Sequence, residues 1–164
     1  MSNRPITLYR TFPQKYLPYD NCHCHIELQW YGIATTVFAL HIGAQRKCQG
    51  ICYWLLPIKD FLKTHPEVAV VQPKIKDLAR PDHFEYAGAA GGYLDIMGLP
   101  YCRGRVGSKC EKDSGQYDNN MQVTWASGAC LVVRKSVFDA LNGFDASFFM
   151  HLEEIDLCLR AQAK

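Results

Sequence analysis

From about Phe61 onward, apolar and polar positions fall into blocks that carry their own start and stop signals. Val68-Ala-Val-Val-Gln-Pro-Lys-Ile75 is a short apolar run rich in β-branched residues, entered after His65-Pro66. It predicts a buried strand closed by Pro73, which has no N–H to give to a ladder. Thr124–Val133 predicts a second such strand, with Gly128 at a bulge or a close backbone approach. Ser136-Val-Phe-Asp139 has the spacing of a capping box with Asp in place of Glu, so a short helix is expected from Ser136 to a stop at Asn142-Gly143. A further helix is expected from near Glu153, where Ile155, Leu157, Cys158 and Leu159 supply the apolar face and Arg160 stands one turn after Asp156. Strand, helix, turn, helix is the grammar of an α/β fold.

Before about Asp60 this agreement is missing. The segment has three acidic residues, Asp20, Glu27 and Asp60, and its apolar positions hold neither the helical nor the strand period for long. No caps frame an element. Such local inconsistency is expected of a sequence not selected to fold, and also of a loop-rich natural segment. Residues 1–59 are therefore left unassigned, and 60–164 are read as one structural unit.

Composition changes this picture little. The 164 residues are 48% hydrophobic and 21% charged, ordinary for a soluble globular chain, and the net charge of +2 with no Lys/Arg run offers no electrostatic case for nucleic acid. The N-terminus lacks the layout of a secretory signal. The longest apolar stretch, Ile33–Gly43, is broken by Thr35, Thr36 and His41 and is far shorter than the ~20 residues of a membrane span. The expectation is a cytoplasmic chain without a transmembrane segment. Its eight cysteines are irregularly spaced and read as reduced thiols, with Cys130 and Cys158 as small core residues.

Two clusters carry candidate chemistry. Asn21-Cys-His-Cys-His-Ile-Glu-Leu28, with Cys48 and Cys52 further on, offers Cys22, His23, Cys24 and His25 as metal ligands. Structural zinc favours Cys-x2-4-Cys knuckles, and Cys-x-Cys beside histidines fits that geometry poorly. His151-Leu-Glu-Glu-Ile-Asp-Leu-Cys-Leu-Arg160 places Glu153, Glu154 and Asp156 in the first turn of a helix. That end of the dipole favours ionised carboxylates while burial opposes them, which is how a general base is tuned. The plain alternative is a charged first turn with an Asp156–Arg160 ion pair.

In order and spacing, Trp125-Ala-Ser-Gly-Ala-Cys-Leu-Val-Val-Arg-Lys-Ser-Val-Phe138, then Asn142-Gly-Phe-Asp-Ala-Ser-Phe-Phe149, then the acidic turn, resemble the acceptor-side half of family 2 glycosyltransferases. Phe84-Glu-Tyr-Ala-Gly-Ala-Ala-Gly-Gly-Tyr-Leu-Asp-Ile-Met-Gly-Leu-Pro-Tyr-Cys-Arg-Gly-Arg105 resembles a bacterial, rhamnosyltransferase-like branch of that family. The resemblance implies a partial GT-A fold over residues 60–164, incomplete at both ends. It also implies inverting transfer of a sugar from a nucleotide-diphosphate donor to a glycan or lipid-linked acceptor, peripheral to the inner face of a bacterial plasma membrane, in polysaccharide synthesis.

Residue by residue, the resemblance makes Glu154 the catalytic base, where the family usually has Asp, with Glu153 as the fallback. Asp156 and Arg160 match family positions. Gly91 and Gly92 stand in a loop that either offers backbone N–H groups to a substrate or is a plain connector. Arg103 and Arg105 either screen diphosphate charge or are solvated, Trp125 either stacks on a sugar or is core, and Asp145 either orients the acceptor or caps the chain between helices. The family's Mg2+ or Mn2+ implies an Asp-x-Asp motif ahead of Gln72, and none is present. Codons permitted by residues 21–54, read one base later, can spell V-T-V-I-L-N-Y-N-G and a following helix like the family's opening, which implies an out-of-frame segment. The alternatives are a catalytically inactive fragment retaining acceptor-side structure and a small zinc-binding module.

Overall fold

The computed structural model describes residues 6–9, 26–30, 33–38, 55–77, 79–148 and 151–164, the first three stretches as backbone. In chain order the elements are strands β1 Ile6–Tyr9, β2 Ile26–Trp30 and β3 Ile33–Phe38, helix α1 Leu56–Thr64 and strand β4 Val70–Pro73. Five short strands follow, β5 Gly92–Leu94, β6 Pro100–Cys102, β7 Arg105–Val106, β8 Lys109–Cys110 and β9 Met121–Gln122. Strand β10 Leu131–Arg134 and helices α2 Lys135–Ala140 and α3 Glu153–Gln162 complete the chain. The main sheet has the order β2-β3-β10-β4-β1-β9, with β1 parallel to β4 and the other neighbours antiparallel. Three short strands thus lie in the segment for which the pattern predicts no element. The Cys/His cluster proposed for zinc, Cys22 to His25 with Cys48 and Cys52, lies outside the described residues.

The centre of the sheet follows from β-strand periodicity. Val71 pairs with Val132 and Val70 with Val133. Val71 and Val132 pack on Ile58, Phe61 and Leu62 of α1, whereas Val70, Leu131 and Val133 share the opposite layer with Val137, Ile155, Leu157 and Cys158 of α2 and α3. Helices cover both faces, which is why β4 is buried at every position instead of alternating. The α/β expectation holds. Arg134 joins the layers: its guanidinium donates to the carbonyls of Leu62, His65 and Val68 at the end of α1 and the entry to β4.

Three boundaries differ from the pattern. The strand expected over Thr124–Val133 is only β10, because residues 126–130 leave the ladder: Ser127 gives its N–H to the Gln72 side chain and its carbonyl takes the Cys130 N–H, 3.1 Å. The helix expected at Ser136 starts one residue earlier, after an extended Arg134 and with no side-chain cap. Its stop is where the sequence puts it. Asn142 (φ 58°) and Gly143 (φ 72°) are left-handed, and their N–H groups return to Asp139 (3.0 Å) and Phe138 (2.9 Å) as a Schellman motif.

Candidate active site

Strand β10 runs antiparallel to β4, so the turn that precedes it lies beside the carboxyl end of β4. This is the edge of an α/β sheet where loops can gather round a ligand. Gln72, fully buried in β4, ties two of those loops together: its amide donates to Gly88 (2.9 Å) and its carbonyl accepts from Ser127. Ser127 Oγ in turn donates to Ala87 (3.1 Å). The same turn receives α3. Cys158 Sγ accepts from the Ala126 N–H at 3.4 Å, and Gln162 donates to the Thr124 carbonyl at 2.6 Å.

Helix α3 presents its first turn at this edge. No side chain caps it, and His151 (φ 70°) and Leu152 (φ 71°) enter it in successive left-handed conformations. Neither residue is glycine, so each costs of order 1–2 kcal/mol, a strain that clusters at functional sites. Glu154 is half-buried, and burial is the main force raising its carboxyl above the usual range, helped by the charge of Glu153. Its own N–H, the Gly128 N–H and His151 work in the other direction. Gly128, expected at a close backbone approach, is where the turn meets the carboxylate. Glu153 keeps one buried oxygen, Oε2, with no hydrogen-bond partner. The turn therefore holds one half-buried carboxylate whose affinity for protons is raised, next to one with an unmet acceptor.

Asp156 and Arg160 do form their pair, at 2.7 Å, and Arg160 also donates to Leu141 (2.8 Å) and Gly143 (3.0 Å). The arginine thereby fastens α3 to the exposed carbonyls at the end of α2, a structural role that leaves little of the guanidinium for a substrate. Asp145 is exposed and accepts from Ser147 N at 2.8 Å, as a chain-turning aspartate does.

For two candidates the structure favours the plainer of the alternatives over a substrate contact. Trp125 is 5% exposed, its indole lies against Gly92, where an added Cβ would sit 2.0 Å from Cε2, and its Nε1 donates to Tyr93 at 3.0 Å. A ring covered in this way has no face for a sugar. The loop carrying Gly91 and Gly92 offers no N–H either. Ala87 and Gly88 donate to Glu85 Oε2, Ala89 to Glu85 O, Ala90 to Arg103 O, Gly91 to Gly88 O and Gly92 to Trp125 O. Gly92 is required by the indole against it, not by a ligand.

Arg103 and Arg105 stack on Tyr117 and Tyr86, each 4.4 Å from the ring centroid, and Arg103 Nη1 and Arg105 Nε are buried donors without a partner. Unmet guanidinium donors suit an anionic ligand better than a solvated role. Sequence reasoning missed Gln72 and Lys74, although a polar residue inside the run Val68–Ile75 was the available signal. Lys74 is buried and donates to both Asp113 oxygens (3.0 and 2.9 Å) and to Asp118, while Lys76 takes Asp113 as well. Burial pushes the Asp113 carboxyl up, yet the two lysines overcome it and hold the group down at about 2.

That cluster bears on the divalent cation implied by the resemblance. Among the described residues no three His, Cys, Asp or Glu side chains gather into a metal site. Asp113 and Asp118 converge, but on lysine ammoniums that already neutralise them. The described residues do not fit Mg2+ or Mn2+.

No protein-family model matches the chain, and no solved structure matches it. Curated relatives do. The chain is 30% identical over 105 residues to an N-acetylglucosaminyl-diphospho-decaprenol L-rhamnosyltransferase of Mycobacterium tuberculosis, covering 60% of this chain and 33% of the relative. It is 53% identical over 38 residues to the rhamnosyltransferase WbbL of Escherichia coli K12, 23% of this chain and 14% of that protein. Over 48 residues it is 40% identical to the low-salt glycan biosynthesis hexosyltransferase Agl10 of Haloferax volcanii, 29% of this chain and 16% of that protein. The chain thus spans a third or less of the length of these relatives. Its relatives are glycosyltransferases, and the resemblance seen in its motifs to a rhamnosyltransferase-like branch stands. Among the described residues, no helix is long and apolar enough to cross a membrane.

Proposed function

We propose that this chain is the acceptor-side part of an inverting, family 2 glycosyltransferase of GT-A type. It moves a sugar, rhamnose by the names of two relatives, from a nucleotide-diphosphate donor to a hydroxyl of a lipid-linked glycan. The observation that carries this reading is Glu154, a half-buried carboxylate in the uncapped first turn of α3, whose affinity for protons burial raises against the opposing pull of the nearby Gly128 N–H and its own N–H. A base so placed takes the proton of the acceptor hydroxyl as that oxygen attacks the anomeric carbon. The diphosphate leaves from the opposite face and configuration inverts. Glu153 Oε2, buried and unpartnered, is suited to accept a hydrogen bond from the acceptor, and the unmet donors of Arg103 and Arg105 are suited to a phosphate oxygen.

The test uses the full chain with a nucleoside-diphosphate rhamnose and an N-acetylglucosaminyl-diphospho-polyprenol acceptor. Transfer is expected, and Glu154→Gln is expected to lower kcat by about 10^2–10^4 with donor binding by calorimetry unchanged. Full activity in Glu154→Gln would remove Glu154 from the reaction. No donor binding, with or without Mn2+, would leave only an inactive remnant with acceptor-side structure.

A further inference from the structure

We infer that Gln72 is a positioning residue for the Glu154 carboxylate: its buried amide holds the 126–130 turn in place against the first turn of α3. Calling Glu154 a base rests on the transfer reading; the coupling of Gln72 to it does not.

Helix α3 lays one face along this turn. Glu154, Cys158 and Gln162 are spaced by four, so they share a face of the helix. Gln162 donates to the Thr124 carbonyl (2.6 Å), and Cys158 Sγ accepts from the Ala126 N–H (3.4 Å). Two steps along an extended chain cover ~6.6 Å and four residues of helix ~6 Å, so the two segments advance together in opposite directions. The next step of that register sets Gly128 beside Glu154, whose charged form the Gly128 N–H stabilises.

Residues 126–130 have left the ladder, so a group outside the strands must hold them. Their other neighbour is the loop around Gly88, where an added Cβ would stand 3.3 Å from Ser127 Cβ and 3.4 Å from Ala129 Cβ. Gln72 is fully buried and bonds to both segments, accepting from Ser127 N and donating to Gly88 O at 2.9 Å. An aliphatic side chain would continue the apolar run of β4 without polar cost. An amide is stable there only because these two bonds satisfy it, and breaking them frees the turn that faces Glu154. The titratable groups that bear on Glu154 are Glu153, His151 and Cys158, all on α3 or its entry; residues 126–130 bring only the Cys130 thiol. Gln72→Met exchanges one neutral side chain for another, so it reaches Glu154 through the turn and not through charge.

The test needs neither donor nor acceptor. In isotope-labelled full chain, the Glu154 carboxyl and the amides of residues 126–130 are followed by NMR as pH is varied, with Glu154 assigned by its loss in Glu154→Gln. Gln72→Met fills nearly the same space without either bond. It is expected to speed exchange of the Ser127 amide by about tenfold or more, and to move the Glu154 titration upward because the Gly128 N–H no longer supports the charged form. Ile58→Val, which opens a small cavity in the α1 layer, is expected to lower Tm and leave both signals unchanged. An unmoved or lowered titration in Gln72→Met, or the same upward movement in Ile58→Val, overturns the inference. In wild type the Gly128 amide resonance is expected to follow the Glu154 titration and to lose that dependence in Glu154→Gln. A Gly128 amide indifferent to Glu154 overturns the inference even if Gln72→Met does not fold. A titration moved by Gln72→Met in a chain that transfers no sugar keeps this inference and removes the transfer reading.

Discussion

Replacing Asp113 by Asn tests the cluster at the end of β4. Lys74 is 1% exposed at its side chain and Asp113 9%, so neither charge is screened by solvent, whereas Asp118 at 45% contributes little. Each factor of ten in proton affinity is worth about 1.4 kcal/mol, so holding Asp113 at about 2 in place of its ordinary 3.8 stabilises the fold by about 2 kcal/mol. The sign follows from the depressed value. The stabilisation is complete above the unfolded value near 3.8, about half remains at pH 3, and it vanishes as pH falls through about 2. Asn keeps the shape and removes the charge, leaving Lys74 buried with only the half-exposed Asp118. Urea unfolding at pH 7 should therefore show Asp113→Asn less stable by at least about 2 kcal/mol, with more lost if the ammonium is left uncompensated. At pH 3 the gap should fall by about 1 kcal/mol. A gap of the same size at both pH values would refute the reasoning, because a purely steric defect does not titrate.

Three other outcomes follow from the same packing. Gly92→Ala drives a Cβ to within 2.0–2.4 Å of the Trp125 indole and should destabilise by about 1–3 kcal/mol in urea melts; a Tm equal to wild type would mean that the ring is not held there. Glu154 has a raised folded value, so it weakens the fold as pH climbs above the ordinary 4.5; Glu154→Gln should raise Tm at pH 7, and the gain should disappear below pH 4.5. Cys158 is fully buried and its thiol is pushed up to about 12, so in native protein alkylation mapped by mass spectrometry should reach the partly exposed Cys110 well before Cys158, with the difference abolished in denaturant.

Cys130 shows how far such reasoning reaches from sequence. Its apolar neighbours predict a core cysteine, and burial does push its thiol to about 12, yet the residue as a whole is only half-buried because it closes the turn that begins at Ser127. The acidic first turn of α3 was legible in the same way. Its position, its Asp156–Arg160 pair and its carboxylates follow from spacing, while the closeness of the Gly128 turn to Glu154 does not.

What the sequence by itself determined is local. The β-branched run around Val70, the Schellman stop at Asn142-Gly143 and the start of α3 at Glu153 rest on interactions within a few residues, which periodicity and caps encode directly. The motifs that resemble rhamnosyltransferases are likewise contiguous in sequence. Only the tertiary structure decided that residues 126–130 leave the ladder, because the amide that draws Ser127 away is Gln72, 55 residues earlier. The same holds for Lys74, whose partner Asp113 is 39 residues further on, and for Trp125, whose ring is covered by a glycine 33 positions before it in the numbering. A buried polar group must find its partner wherever the fold brings one, and that partner leaves no periodic trace in the chain.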